Sequence, residues 1–95
     1  MKSLAVSFFV HGRIRTTEAK ARELRPFVER LIQYGKEPTV AHRRLIAARV
    51  SPKIVLNVVR MGEKMKARPG GYTRVIKLGE RKSDSARLAI LEAVE

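Results

Sequence analysis

Arginine and lysine are the residues whose chemistry is most evident in this sequence. Five of them lie between positions 11 and 25: Arg13, Arg15, Lys20, Arg22 and Arg25. Guanidinium groups bind phosphate oxygens in pairs, and ammonium groups bind them as point charges. Because Arg13 and Arg15 are two residues apart, a strand would project both from one side. Segment 11–25 therefore predicts a unit that grips a phosphate backbone, together with Thr16 and Thr17 at the start of the next helix.

The rest of the chain is also strongly basic. Its 21 lysines and arginines against 9 acidic residues give a net charge of +12, and such a field attracts polyanions, with nucleic acid the first candidate and an anionic membrane surface the second. From residue 38 to 78 ten cations accompany Glu63 alone, which leaves +9 on that stretch. The candidate phosphate- or RNA-contacting residues there and in the following loop are His42, Arg43, Arg44, Arg49, Arg68, Gly71, Tyr72, Arg74, Arg81 and Lys82.

Catalysis finds little support in the sequence. His11 and His42 are the only histidines, there is no cysteine, and no serine lies in a recognisable nucleophile turn. The glutamates between residues 18 and 29 lie on a helix crowded with cations and are more simply ion-pair partners. We expect no enzymatic activity, no metal or cofactor, and no small-molecule substrate. No run approaches the roughly 20 apolar residues that span a bilayer, and no membrane role is expected.

The apolar periodicity predicts one α+β domain over residues 1–95. Residues 3–11 form either a helix or a buried strand. Charged and apolar side chains alternate over residues 13–16, which predicts a strand, and Thr17 is then the predicted N-terminal cap of the next helix. The next helix keeps its apolar phase across Pro26, which favours one kinked helix over two, and Gly35 is its predicted C-terminal cap. Pro38 then suits the first turn of another helix.

The second half predicts two further helices and a hairpin. A stripe of Ala41, Leu45 and Ala48 marks the apolar face of helix 39–50, joined by Ile46 and Val50. Ser51-Pro52 is a cap followed by proline and predicts the start of helix 52–66. Residues 72–78 and 87–94 read as strands joined by a polar loop, the second apolar on both faces and hence central.

Some features leave two interpretations open. Tyr72 suits stacking on a base or packing at a core edge. The Gly70-Gly71 pair suits a turn better than a phosphate loop, and His42-Arg43-Arg44 suits RNA binding or a merely solvated face. Helices 39–50 and 52–66 followed by a hairpin also resemble a winged-helix DNA-binding protein, although the outward positions Lys53, Asn57, Arg60 and Lys64 of the second helix hold only one amide to read bases.

Three blocks of the sequence resemble a known family, the bacterial-type large-subunit ribosomal protein seventeen. They are His11-Gly-Arg-Ile-Arg-Thr-Thr-Glu-Ala-Lys-Ala-Arg-Glu-Leu-Arg-Pro26, the Arg43-Arg44-Leu45 step, and Gly70-Gly-Tyr-Thr-Arg-Val-Ile-Lys-Leu-Gly79 with the closing Leu88-Ala-Ile-Leu-Glu-Ala-Val-Glu95. They cover most of the chain in the family's order and spacing.

The resemblance implies a two-layer fold in the order helix, strand, helices, strand, strand, with residues 3–11 helical. It also implies a structural constituent of the large ribosomal subunit, in the cytoplasm or in an organelle. Its partners would be 23S-type rRNA and neighbouring ribosomal proteins, near the nascent-chain exit. The RNA-facing positions carried over are Arg13, Arg15, Thr16, Thr17, Lys20, Arg43, Arg44, Gly71, Tyr72 and Arg74.

The sequence departs from the family at its start. Members usually begin with a strongly basic arm, whereas this sequence begins at Met1-Lys2, almost at the first predicted helix. Either the form is short or incompletely represented, or the remaining surface carries more of the binding. The family's Gly-Asp at the hairpin tip is replaced by Ser83-Asp84.

Overall fold

The fold was established from a computed structural model, which describes residues 2–94. These residues form, in chain order, α1 (Lys2–His11), β1 (Arg13–Thr17), α2 (Glu18–Lys36), α3 (Val40–Arg49), a 3-10 turn (Pro52–Ile54), α4 (Val55–Lys64), β2 (Thr73–Glu80) and β3 (Arg87–Ala93). The predicted α+β class and element order are confirmed, and residues 3–11 are helical, as the family resemblance implies.

The three strands form one antiparallel sheet in the order β1-β3-β2. Ile14 of β1 and Val75 of β2 both lie opposite Leu91 of β3. The central position of β3 and the terminal hairpin are therefore as predicted, although β2 continues to Glu80, into the predicted loop. A bulge between Lys77 and Gly79 shifts the register near the end of β2.

The core lies between the helices and one face of the sheet. Successive strand residues point to opposite faces, so Ile14, Ala89 and Leu91 are buried while Arg13 and Arg15 are exposed on the other face. The helical layer adds Ala5, Phe8, Phe9, Ala21, Leu24, Val28, Leu31, Ile32, Ile46, Ile54, Val58 and Met65. The sheet thus has one packed face and one outer face that carries cations.

Helix α2 is the longest element and begins as predicted. The Thr17 hydroxyl accepts a hydrogen bond from the backbone N–H of Lys20 at 3.3 Å, which satisfies one of the unpaired donors of the first turn. The helix then runs for 19 residues without a break at Pro26. One continuous helix, and not two, is therefore confirmed.

The predicted cap at Gly35 is wrong, because α2 continues to Lys36 and Gly35 lies inside it. Gly35 and Gly62 are where α2 and α4 cross. A Cβ on Gly35 would lie 2.6 Å from the carbonyl oxygen of Val58, and one on Gly62 would lie 2.3 Å from the carbonyl carbon of Gly35. These two glycines therefore allow backbone-to-backbone contact between the helices.

Helix α3 also differs from its prediction. Thr39 caps it, its hydroxyl accepting from the backbone N–H of His42 at 3.2 Å, so Pro38 precedes the helix. Of the predicted apolar face, Ile46 and Val50 are buried, whereas the stripe of Ala41, Leu45 and Ala48 is exposed. The short helix has one face against its neighbours, and burying the two branched side chains Ile46 and Val50 on that face removes their apolar surface from water.

The Ser51-Pro52 signal is confirmed as a start site. Ser51 accepts from the backbone N–H of Lys53 at 3.2 Å, and Pro52 follows at the first position. The element that it begins is one 3-10 turn, which leads into α4 at Val55. Helix α4 ends at Lys64, earlier than the predicted residue 66.

A row of polar residues on α2 holds the start of β2. The Glu29 carboxylate accepts from the backbone N–H and the hydroxyl of Thr73, at 3.1 and 2.7 Å. Arg25 donates to the Thr73 carbonyl at 3.2 Å. One turn further along, Tyr72 donates to Gln33 and accepts from the Lys36 ammonium group at 2.8 Å. The helix therefore fixes the strand by polar contacts as well as by packing.

Replacing Glu29 with alanine is expected to lower the free energy of unfolding by about 3 kcal/mol, because Thr73 is only 2% exposed and would keep an unpaired hydroxyl and N–H. Urea denaturation followed by circular dichroism measures this loss. Glu23→Ala, at an exposed position of the same helix, is the matched control and should change stability by less than about 0.5 kcal/mol. Equal effects of the two substitutions would contradict a structural role for Glu29.

Candidate nucleic-acid interface

An open cleft of about 440 Å³ lies where the end of β1, the start of α2 and the β2–β3 turn meet. We call it the basic cleft. Its lining residues are Arg15, Thr16, Thr17, Lys20, Arg81 and Leu88. Three cations from three parts of the chain converge there, and no carboxylate lines the cleft. The structure thus joins two of the five cations of the first predicted basic segment, Arg15 and Lys20, to the distant hairpin turn.

The end of α2 that borders the basic cleft is its positive end. Aligned peptide dipoles place about half a positive charge at a helix N-terminus. The acidic residue of that turn, Glu18, is 8% exposed and pairs with Arg22 at 2.7 Å and with Lys77 at 3.8 Å. Its charge is therefore compensated by cations outside the cleft, and the electrostatics of the cleft suit an anion.

Arg81 is held in place by the hairpin turn. Its guanidinium donates two hydrogen bonds to the Asp84 carboxylate, at 3.0 and 2.9 Å, and the same carboxylate accepts from the Ala86 backbone at 3.1 Å. The Arg81 hydrogen bond is the main cause that lowers the pKa of Asp84 to about 2. Because this pKa is depressed, the ion pair is lost only as the pH falls towards 2, and Arg81 keeps its place at neutral pH.

The cations of α3 form a separate group near the C-terminal end of α2, which is about 27 Å long. The His42 ring stacks on Tyr34 with centroids 5.1 Å apart, and the Arg49 guanidinium lies 5.9 Å from the same ring. Arg43 donates to the Pro38 carbonyl at 3.1 Å. Arg44 is exposed and has no ion-pair partner within residues 2–94. His42 and Arg49 thus pack locally, whereas Arg43 and Arg44 present charge to solvent.

Several predicted contact residues are engaged within the protein. Arg22 pairs with Glu18, and Arg74 pairs with Glu92 across the sheet at 2.7 Å. Arg25 pairs with Glu29 at 3.5 Å while it donates to Thr73. These three cations neutralise the protein's own carboxylates, and the long-range partners of Arg25 and Arg74 were not predicted.

Tyr72 lies in the core and is 3% exposed. Its ring has no free face for a base, so the core-edge interpretation is correct and base stacking is not supported. Nearby, Gly71 has a φ of +63°, which fits the predicted turn. The Arg68 carbonyl accepts from the Lys36 ammonium group at 2.5 Å, which holds the same turn against α2.

Two further predicted cations lie outside the basic cleft. Arg13 is exposed on the outer face of the sheet, on the same side as Arg15 and opposite Glu92. Lys82 is exposed in the hairpin turn. Lys82 directly follows Arg81, whereas Arg13 lies at the other end of β1 from the cleft, and neither residue lines it.

A second cleft, of about 250 Å³, was not among the predicted sites. We call it the α4 cleft. Its lining residues are Phe9, Val10, His11, Gly12, Asn57, Arg60, Met61 and Lys64. The spacing of the three polar α4 residues marks one helical stripe in the sequence, but only the fold shows that the end of α1 forms the opposite wall.

Residues 2–94 hold neither a metal-binding cluster nor a membrane-spanning helix. No three of their histidines, aspartates and glutamates come together as ligands for a metal ion. None of their helices combines the length and the apolarity needed to cross a bilayer.

The fold and the basic cleft define a small, basic α+β protein that gathers cations on its surface. A family model described as Ribosomal protein L17 matches residues 1–94, and the chain belongs to this family. It is therefore a structural constituent of the large ribosomal subunit that serves in translation, and the family is a structural, non-enzymatic class. Its location is the ribosome, in cytoplasm or organelle, and the winged-helix alternative is not supported.

Proposed function

We propose that this chain binds 23S-type rRNA of the large subunit, with the basic cleft as its main contact. The observation that carries the proposal is the convergence of Arg15, Lys20 and Arg81 at the positive end of α2. Guanidinium and ammonium groups at a helix N-terminus match the charge and hydrogen-bonding needs of a phosphate. Thr16 and Thr17 line the same cleft.

Arg43 and Arg44 would extend the contact to a second part of the rRNA surface. They lie about the length of α2 away from the basic cleft, so one narrow groove does not reach both groups. Arg13, on the outer face of the sheet, and Lys82, beside Arg81 in the hairpin turn, would add phosphate contacts of the same kind. Arg22, Arg25 and Arg74 pair with carboxylates, as Arg81 does, but unlike Arg81 they line neither the basic cleft nor the α4 cleft.

The position of the protein on the subunit is a second part of the proposal. The family resemblance supports a place on the solvent side near the nascent-chain exit, beside neighbouring ribosomal proteins.

Sedimentation in a sucrose gradient at high salt tests the proposal directly. The protein is expected to travel with the large subunit and to bind deproteinised large-subunit rRNA more tightly than random-sequence duplex DNA of equal length. A chain found only in the soluble fraction, or equal affinity for the two nucleic acids, would contradict specific rRNA binding.

A further inference from the structure

The α4 cleft combines cations, an amide and an apolar floor. Asn57, Arg60 and Lys64 follow one another at i, i+3 and i+7 on α4, which places them on one side of that helix. His11 stands on the opposite wall, and Phe9, Val10 and Met61 supply the apolar part of the lining. Within residues 2–94 neither Arg60 nor Lys64 has an ion-pair partner.

No carboxylate lines the α4 cleft either. The single acidic residue of α4, Glu63, lines a different groove beside Gly35 and Lys36. The charges of Arg60 and Lys64 are therefore compensated neither by an ion pair nor by an acidic wall. Cations that are fixed on a helix and lack an internal partner are suited to an external anion.

The α4 cleft and the basic cleft lie at opposite ends of β1. Gly12 lines the first, immediately before the strand, and Thr16 and Thr17 line the second at its other end. At about 3.4 Å per residue the intervening strand separates the two clefts by about 15 Å. Because β1 is hydrogen-bonded to the central strand β3, this separation is held by the sheet.

We propose that the α4 cleft is a second binding site for a sugar-phosphate backbone, so that the protein holds two backbone segments at a distance set by β1. Arg60 and Lys64 bind the phosphates, Asn57 hydrogen-bonds to a base or ribose edge, and the apolar floor packs against the ribose. The two segments belong to separate RNA helices or to the two strands of one helix. This inference rests on the proposed rRNA binding and adds a second site to it.

Hydroxyl-radical footprinting of the full chain on deproteinised large-subunit rRNA tests the two-site arrangement. The unmodified protein is expected to protect two backbone segments. Arg60→Gln with Lys64→Gln should remove one protection and keep the other, and Arg15→Gln with Lys20→Gln should do the reverse. If each lost contact contributes about 0.7 to 0.9 to the salt slope, the Arg60/Lys64 variant should bind roughly 30-fold more weakly at about 0.1 M salt.

Lys53→Gln with Lys66→Gln is the matched control, since it removes the same charge from residues that line neither cleft. It should keep both protections. Circular dichroism of each variant shows that the fold is retained, as expected for exposed side chains. Unchanged protections in the Arg60/Lys64 variant, or equal weakening of both segments by all three variants, would overturn the second site while leaving rRNA binding intact. Absence of any protection by the unmodified protein would overturn the proposed function as well.

Discussion

Replacing Gly62 with alanine is expected to lower the free energy of unfolding by about 3 kcal/mol or more. The new Cβ would lie 2.3 Å from the carbonyl carbon of Gly35 and 2.5 Å from the backbone nitrogen of Lys36. Both are backbone atoms inside α2, so relief requires the two helices to move apart. That movement would disturb the packing of Val58 and Met65, which are buried on and beside α4.

A destabilising effect would be informative, because replacing glycine with alanine inside a helix ordinarily raises the free energy of unfolding by about 0.5 to 1 kcal/mol. Urea denaturation gives the measurement. Gly70→Ala is the control, since its Cβ would meet nothing within 4 Å and the residue has no positive φ. It should be neutral or slightly stabilising. A Gly62→Ala protein as stable as the original would contradict the close crossing of α2 and α4.

Replacing Arg15, Lys20 and Arg81 with glutamine is expected to weaken rRNA binding by about 100-fold at ~0.1 M salt. Each phosphate contact contributes about 0.7 to 0.9 to the slope of log affinity against log salt, so the loss of three contacts lowers the slope by about 2. Relative to the original protein, the affinity of the variant therefore falls about 100-fold when the salt concentration is reduced tenfold. Glutamine keeps much of the side-chain length and removes the charge. All three positions are exposed, so the core packing should be unaffected, and within residues 2–94 the only ion pair removed is that of Arg81 with Asp84 in the hairpin turn.

The matched control replaces three exposed cations that line neither cleft, Arg30, Lys53 and Lys66, with glutamine. Both proteins lose three positive charges, so a general electrostatic attraction would be reduced alike in the two. Filter binding or fluorescence anisotropy with a large-subunit rRNA fragment measures the affinities. We expect a loss in the control of less than about tenfold, and equal losses would show that the cations act only through net charge.

Local signals in the sequence predicted most of the elements correctly. Thr17 and Ser51-Pro52 cap the helical elements after them because capping depends on a hydroxyl and the next two or three backbone N–H groups. The strand before Thr17 and the two-faced apolar pattern of β3 likewise result from side-chain alternation along one segment. These features need no knowledge of the rest of the chain.

The errors come from contacts between distant residues. Gly35 looks like a cap locally and is instead a crossing point, because its partner Gly62 lies 27 residues away. Of the apolar face predicted for α3 only Ile46 and Val50 are buried, because the available core space, and not the helix's own pattern, decides which side packs. Arg25 has both a local partner, Glu29, and a distant one, Thr73, and only the first is visible in the sequence.

The basic cleft was partly predictable for the same reason. Arg15, Thr16, Thr17 and Lys20 are near neighbours in sequence, so one strand and one helix start suffice to bring them together. Arg81 joins them only because the hairpin returns to the end of β1. The α4 cleft is a harder case, since its second wall is the end of α1.

The salt dependence of binding tests the central claim, that the basic cleft grips the rRNA backbone. The measurement is the slope of log affinity against log salt for a large-subunit rRNA fragment, in the original protein and in the Arg15/Lys20/Arg81 glutamine variant. We predict that the variant's slope is smaller by about 2 to 3, the sum of three phosphate contacts. A variant whose slope equals that of the original protein would contradict the claim and show that these cations make no phosphate contact.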